Sequence, residues 1–206
     1  MAGGRARPSG FELVSDDALV EAVQRGDERI ASEIFARLFD TVDGTLYRVL
    51  GQRGSDHDDL VQQVFEQIVL TLSRHAFARL CSLRTWGARV ATNVGLNALR
   101  SRRRERQVID WGHELDDDLV RSSSPDPARA VESQRRAERL RLELVELKPA
   151  RVEVLLLHDL LGHDLGEIAL MLGASVAAVQ SRLFRGRRDL RKRLERAGFG
   201  PKEGTP

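Results

Sequence analysis

Apolar residues recur every three to four positions along most of this chain, the period of amphipathic helices that bury one face. Between Ser15 and Gln107 they fall at Leu19, Ala22 and Val23, at Ile30, Ile34, Phe35 and Leu38, and at Leu46, Val49 and Leu50, with no alternating strand pattern between them. The next helix carries one wide stripe of Leu60, Val61, Val64, Phe65, Ile68, Val69 and Leu72, and Ser55 and Asp58 have the spacing of a capping box at its start. Thr85 is predicted to open a further helix through Trp86, Val90, Ala91, Val94 and Ala98 into a run of arginines.

The pattern breaks from Gly112 to Pro127, GHELDDDLVRSSSPDP, which is acidic, then serine-rich, with two prolines and few core formers. It reads as a linker. Asp126-Pro127 then suits an N-cap followed by proline in the first turn, opening a helix that runs towards Leu147. Pro149 restarts the chain, Val152, Leu155, Leu156 and Leu160 supply a buried face, and Gly162 suits the end of that helix. The expected fold class is all-α: two small helical domains joined by an acidic flexible linker, the second containing a helix-turn-helix. The expected boundaries are a tail over 1–14, a first domain over 15–107, the linker over 108–127, a second domain over 128–198 and a tail over 199–206.

The segment from Asp164 to Arg188, DLGEIALMLGASVAAVQSRLFRGRR, is the most specific. Asp164 and Glu167 have capping-box spacing, Ala169 is small where two helices cross, Gly173 suits a left-handed turn residue, and Ser175 can cap the second helix. Val176, Val179, Leu183, Leu190 and Leu194 are predicted to face inward, leaving Ala177, Gln180, Ser181 and Phe184 on the outer face near the helix start. A recognition helix presents that part to the DNA major groove. Gln180 can pair with adenine, Ser181 can bond bases or phosphate, Phe184 can touch thymine methyls, and Arg182, Arg185, Arg187 and Arg188 suit phosphates.

Charge sharpens this picture through its placement. The chain has 206 residues, 33 Lys and Arg against 31 Asp and Glu, and a formal net charge of only +2. Yet Arg100 to Arg106 and Arg182 to Arg196 are basic blocks and Glu114 to Asp118 is acidic. A single cysteine, Cys81, excludes an intramolecular disulfide framework, and the five histidines show no metal-ligand spacing with Cys or carboxylates. No Gly-rich phosphate loop or nucleophile elbow is present, so the expectation is a non-enzyme without cofactor or metal. No apolar run is long enough to span a bilayer and the N-terminus lacks a signal-peptide core, so the expected location is the cytoplasm, without membrane insertion.

Two polar stripes complete the candidates. Asn93, Asn97, Arg100 and Arg104 are spaced four, three and four along one helix, with Trp86 upstream. They suit a single-stranded nucleic acid, with Trp86 stacking on a base; equally, Trp86 belongs to the core and the asparagines to the surface. Asp59, Gln62, Gln63 and Glu66 line the helix of the wide apolar stripe, where spacing alone reads as solvation.

In this order the pieces resemble bacterial sigma factors of the extracytoplasmic-function (ECF) type over most of residues 15 to 196. DHDDLVQQVF, Asp56 to Phe65, is similar to the family's core-binding signature. TWGARVATNVGLNALRSRRR, Thr85 to Arg104, looks like the segment that opens and reads the minus-10 element. LKPARVEVLLLHDLLGHDLGEIALMLGASVAAVQSRLFRGRRDLRKRL, Leu147 to Leu194, resembles the domain that reads the minus-35 element.

The resemblance implies a sigma factor that binds core RNA polymerase and directs promoter recognition and transcription initiation. It places Asp59, Gln62, Gln63 and Phe65 against the clamp coiled coil of the polymerase largest subunit. It assigns Trp86, Asn93, Asn97, Arg100 and Arg104 to the single-stranded minus-10 segment, and the short residues before Trp86 to a loop that captures a flipped base. It assigns His158, Ser175, Gln180, Ser181, Arg182, Phe184 and Arg185 to duplex minus-35 DNA. An anti-sigma protein is a further partner it implies, and the free protein is expected to be a monomer. The chain departs from the family's usual pattern at Gly87, Ala178 and Gln180, where a large aliphatic residue, Thr, and Lys or Arg are usual. Two other readings stay open: a helix-turn-helix regulator acting without core polymerase, and a sigma-like protein that sequesters polymerase.

Overall fold

The computed structural model describes residues 15–27, 29–109 and 127–199, with backbone alone at 107–109 and 127–131. The expected tail over 1–14, most of the linker, the cap at Asp126 and the last residues of the chain lie outside the described residues. Every regular element among the described residues is helical, as the periodicity predicts. In order these are α1 (Asp16–Gln24), α2 (Arg29–Leu50), α3 (His57–Ser73), α4 (Leu83–Ile109), α5 (Pro127–Val145), α6 (Pro149–Leu155), α7 (Leu165–Leu172) and α8 (Val176–Arg196). A π turn, Leu156–Leu160, continues α6.

Helices α1 to α4 share one core, in which Leu19, Ile34, Leu38, Leu46, Ile68, Leu72 and Leu83 are fully enclosed. Close approach of α2 and α4 depends on Gly95: a Cβ there would stand 3.0 Å from Val49 Cγ1. The glycine weakens the isolated helix by about 1 kcal/mol relative to alanine but lets the two backbones meet. Gly87, where a large aliphatic residue is usual in the family, faces Leu38 and Ile68 at ordinary contact distance, so this core has room for little more than a methyl group.

A second cluster is built from α5 to α8 around Val152, Val154, Leu157, Ile168 and Val179. It also includes Val49 from the end of α2 and Leu96 from α4. The two domains predicted from the linker are thus in apolar contact rather than merely tethered.

Three local expectations are corrected. Helix α3 starts at His57 with Asp56 at its N-cap and no side-chain cap bond, so the Ser55–Asp58 box is not made; the Asp56 carboxylate is drawn to Arg102 instead. Helix α4 starts at Leu83, two residues before Thr85: the Asp16 carboxylate accepts from the Leu83 N–H at 2.8 Å, and Ser82 Oγ accepts from the Thr85 N–H at 3.1 Å. An acid 67 positions away in sequence completes that cap, which no local pattern reveals. Val176, predicted to face inward, is 48% exposed as the first residue of α8, and the inward face begins one turn later at Val179.

Candidate functional site

The exposed face of α3 carries Asp59, Gln62, Gln63 and Glu66 in a row, as their spacing predicts. Gln62 Nε2 donates to Glu66 Oε1 at 2.9 Å, which keeps the amide and carboxylate heads aligned along the helix. Phe65, grouped with these residues on the sequence, is buried instead, and its ring packs against Phe35 with centroids 4.6 Å apart. It forms the wall of an open groove of about 920 Å³ between α2 and α3, lined also by Phe35, Phe39, Val61, Val69 and Leu70. Gln62 and Glu66 border this groove, so polar row and apolar groove form one continuous surface. Phe35 and Phe39 were not among the sequence candidates. Their signal was an i, i+4 aromatic pair on α2 opposite a stripe on α3 too wide for one core contact.

Helix α4 presents the second candidate. Trp86 is enclosed, its ring 4.9 Å from that of Phe77, so it belongs to the core and is not a platform for an unpaired base in this structure. Asn97 and Arg104 are exposed, with Arg100 Nη1 donating to Asn97 Oδ1 at 3.3 Å. Asn93 faces the second helical cluster: its Nδ2 donates to Glu153 Oε1 of α6 at 3.1 Å. Arg89, one turn earlier, donates to the same oxygen at 2.9 Å and to the Met171 carbonyl of α7 at 2.8 Å. One terminal guanidinium nitrogen of Arg100 is enclosed without a hydrogen-bond partner. The predicted stripe is therefore split, one edge open to solvent and the other against α6 and α7.

The third candidate is the helix-turn-helix. Asp164 Oδ1 accepts from the Glu167 N–H at 2.8 Å and Glu167 Oε2 from the Asp164 N–H at 3.2 Å, the reciprocal box read from the sequence. Gly173 ends α7 in the left-handed region at φ 57°, ψ 39°, and Ser175 Oγ accepts from the Ala178 N–H at 3.2 Å to start α8. The chain turns through 106° between the two helices, within the range of DNA-binding helix-turn-helices. Val179 and Leu183 lock α8 inward, and Gly186 lets it cross α6 where a Cβ would lie 3.2 Å from the Arg151 carbonyl oxygen. Gln180, Arg185 and Phe184 are consequently exposed, Phe184 by 67%, while Ser181 and Arg182 are half-buried beside them.

His158, on the π turn, sits at the edge of this face with Nδ1 2.8 Å from Asp159 Oδ1. Arg187, expected to meet phosphate, is paired with Asp159 instead. The Arg187 guanidinium, aided by His158, holds the Asp159 carboxyl below the usual carboxylate range. Arg185 and Arg188 remain exposed on α8, Arg188 with its Nε 4.0 Å from Asp189 Oδ1. Cys81 is half-buried, and burial raises its thiol pKa, which suits a packing residue. Among the described residues no three His, Cys, Asp or Glu side chains are grouped to hold a metal ion, and no single helix is long and apolar enough to cross a membrane.

One helical module ends its longest helix in arginines and the other carries a capped helix-turn-helix, an arrangement suited to binding DNA. Family comparison refines the class: the Sigma-70 region 2 model matches residues 34–105 and the Sigma-70, region 4 model matches residues 137–190. The RNA polymerase sigma factor NccH of Alcaligenes xylosoxydans xylosoxydans is 30% identical over 183 residues, spanning 87% of this chain and 95% of NccH. The ECF RNA polymerase sigma factor SigG of Mycobacterium tuberculosis is 34% identical over 167 residues, which are 70% of this chain but 43% of SigG. CnrH, solved in complex with the cytosolic domain of CnrY, shares the fold with a TM-score of 0.50 at 24% identity, over 88% of this chain and 97% of CnrH. The chain belongs to the ECF sigma factors.

Proposed function

We propose that the protein is a promoter-specificity subunit: α3 docks on core RNA polymerase, the open edge of α4 takes the single-stranded minus-10 segment, and α8 enters the major groove of duplex minus-35 DNA. The observation that carries this reading is the exposed row of Asp59, Gln62, Gln63 and Glu66 beside an open apolar groove, in a chain that also presents a capped recognition helix. Acid and amide heads beside aromatic rings suit a helical partner with basic and apolar faces. Exposed Gln180 and Phe184 suit base edges, and Arg185 and Arg188 suit phosphates, which fix position without reading sequence. The chemistry of initiation stays with polymerase, and this chain acts in the cytoplasm by binding and placement. An anti-sigma protein belongs to the same proposal as a second partner.

Run-off transcription with purified core polymerase on a promoter pool tests it, with Asp59→Ala plus Gln62→Ala as the docking variant. Transcripts that depend on this protein and disappear with the double variant are the expected result. Polymerase binding without transcripts would favour sequestration, and duplex binding with no polymerase association would leave an ordinary helix-turn-helix regulator.

A further inference from the structure

Gln180, Phe184 and Arg187 are spaced four and three along α8, so the stripe offered to the major groove runs on to Arg187. There it meets the π turn. Arg187 Nε donates to Asp159 Oδ2 at 2.9 Å, Asp159 Oδ1 lies 2.8 Å from His158 Nδ1, and Arg187 Nη2 stands 3.4 Å from the same imidazole nitrogen. The His158 side chain is 32% exposed, and its Nε2 is open to solvent with no partner among the described residues. Seven residues of helix span about 10 Å, against a major groove about 12 Å wide. With Gln180 at base edges, the far end of the stripe stands at the groove wall, where the partner is phosphate.

The tautomer of His158 follows from its neighbour. Arg187, with His158, holds the Asp159 carboxyl below the usual carboxylate range, so at neutral pH it is ionised and only accepts. Its bond to His158 therefore puts a proton on Nδ1 and leaves Nε2 of the neutral ring as a bare acceptor. A phosphate oxygen also only accepts. Neutral His158 has nothing to offer the backbone, whereas the imidazolium, with a second proton on Nε2, donates to it and keeps its bond to Asp159.

We infer that Asp159 is a positioning residue that makes His158 a proton-dependent clamp on the duplex backbone, so that minus-35 DNA is gripped with uptake of a proton. The inference rests on the function proposed above. Few groups bear on this proton. Asp159 favours it, Arg187 of α8 opposes it, and a bound phosphate adds to the favourable side. On the α7 side, His163 and Glu167 bond to each other at 3.3 Å. Helices α2, α4 and α6 contribute no hydrogen bond or ion pair to His158 among the described residues. Because the duplex favours the charged ring, the affinity it gains is present at low pH and lost as pH rises.

The test titrates the full-length chain against a random-sequence duplex DNA pool by fluorescence anisotropy, at low salt and from pH about 6 to about 8, the span in which histidine changes charge. Wild type should bind about tenfold more tightly at the acid end, the worth of one charge-assisted hydrogen bond. His158→Gln should bind alike across the range, and His163→Gln should follow wild type. Asp159→Asn frees the imidazole to carry its single proton on Nε2. Its profile should also be flat, with affinity at the alkaline end no weaker than wild type. A merely structural Asp159 would instead weaken binding equally at every pH. That result, or a wild-type profile kept by His158→Gln, would overturn the inference, and Arg185→Ala weakening binding in the same series would leave the duplex contact of α8 standing. Absent binding, or binding insensitive to both Arg185→Ala and His158→Gln, would overturn that contact and the inference with it. Should Asp159→Asn prove unfolded by circular dichroism, Asp159→Asn/Arg187→Gln, which removes both charges of the pair, carries the same comparison.

Discussion

Arg102 and Asp56 are joined across 46 positions of chain: one guanidinium nitrogen of Arg102 lies 2.6 and 2.8 Å from the two Asp56 carboxylate oxygens. The pair ties the basic end of α4 to the start of α3, immediately before the polar row proposed to meet polymerase. It also explains why Asp56 fails to cap its own helix. The Arg102 guanidinium holds the Asp56 carboxyl below the usual carboxylate range. Asp43, bonded to Arg53 and His57, is shifted the same way.

A carboxyl whose pKa is lower folded than unfolded contributes stability above its unfolded value of about 3.9, and this is lost as pH falls through the folded pKa. The urea midpoint of the wild type should therefore fall as pH drops from about 5 to about 3, and fall less steeply for Asp56→Asn, which has no such group to titrate. Chemical denaturation at a series of pH values checks this. Parallel pH profiles for the two proteins would show that the pair does not contribute.

Trp86 should behave as a core residue in the free protein. Trp86→Ala is expected to cost about 3 kcal/mol or more in unfolding free energy with no DNA present, because it empties the space against Phe77. An exposed stacking platform would leave the unfolding midpoint unchanged, so equilibrium denaturation separates the two roles.

Two helical glycines should respond with opposite signs. Gly44 has nothing within 4 Å of the place a Cβ would take, so Gly44→Ala is expected to stabilise by about 1 kcal/mol through helix propensity alone. At Gly186 the added methyl group would press on the Arg151 carbonyl oxygen, backbone that cannot rotate away. Gly186→Ala is expected to destabilise by about 1 kcal/mol despite the same propensity gain. Thermal unfolding of both variants beside the wild type is the measurement.

On α8, base readout and phosphate positioning should separate in binding data. Gln180→Ala is expected to leave stability within about 0.5 kcal/mol of wild type. It should relax discrimination at one base position by about 1 kcal/mol. Arg185→Ala should weaken binding to all duplexes alike and reduce the salt slope by about 1. Holoenzyme titrations on a library varied in the minus-35 region, repeated over a range of salt, check both. A uniform loss for Gln180→Ala would remove it from base readout.

Helices and local stops were legible in the sequence because their causes lie within a few residues. The Asp164–Glu167 box, Gly173 and Ser175 each satisfy backbone groups of their own turn, and all three stand where the pattern put them. The exposed row on α3 was legible for the same reason, since side chains three and four apart share a face whatever the rest of the chain does. Where expectation failed, a distant residue intervened: Asp16 caps α4, Arg102 takes Asp56 from α3, and Asp159 takes Arg187 from the DNA-facing set.

Periodicity and capping along the chain were enough to specify its all-helical character and its helix-turn-helix, since both follow from contacts within a few residues, while the family was legible only as a resemblance of motifs. Packing between distant elements is what makes Trp86 core, opens a groove at Phe35 and Phe39 with Phe65, and brings Glu153 of α6 to Arg89 and Asn93 of α4. A helix has several faces that can be buried, and which one meets which neighbour depends on packing between elements far apart in the chain. Period alone does not encode that choice.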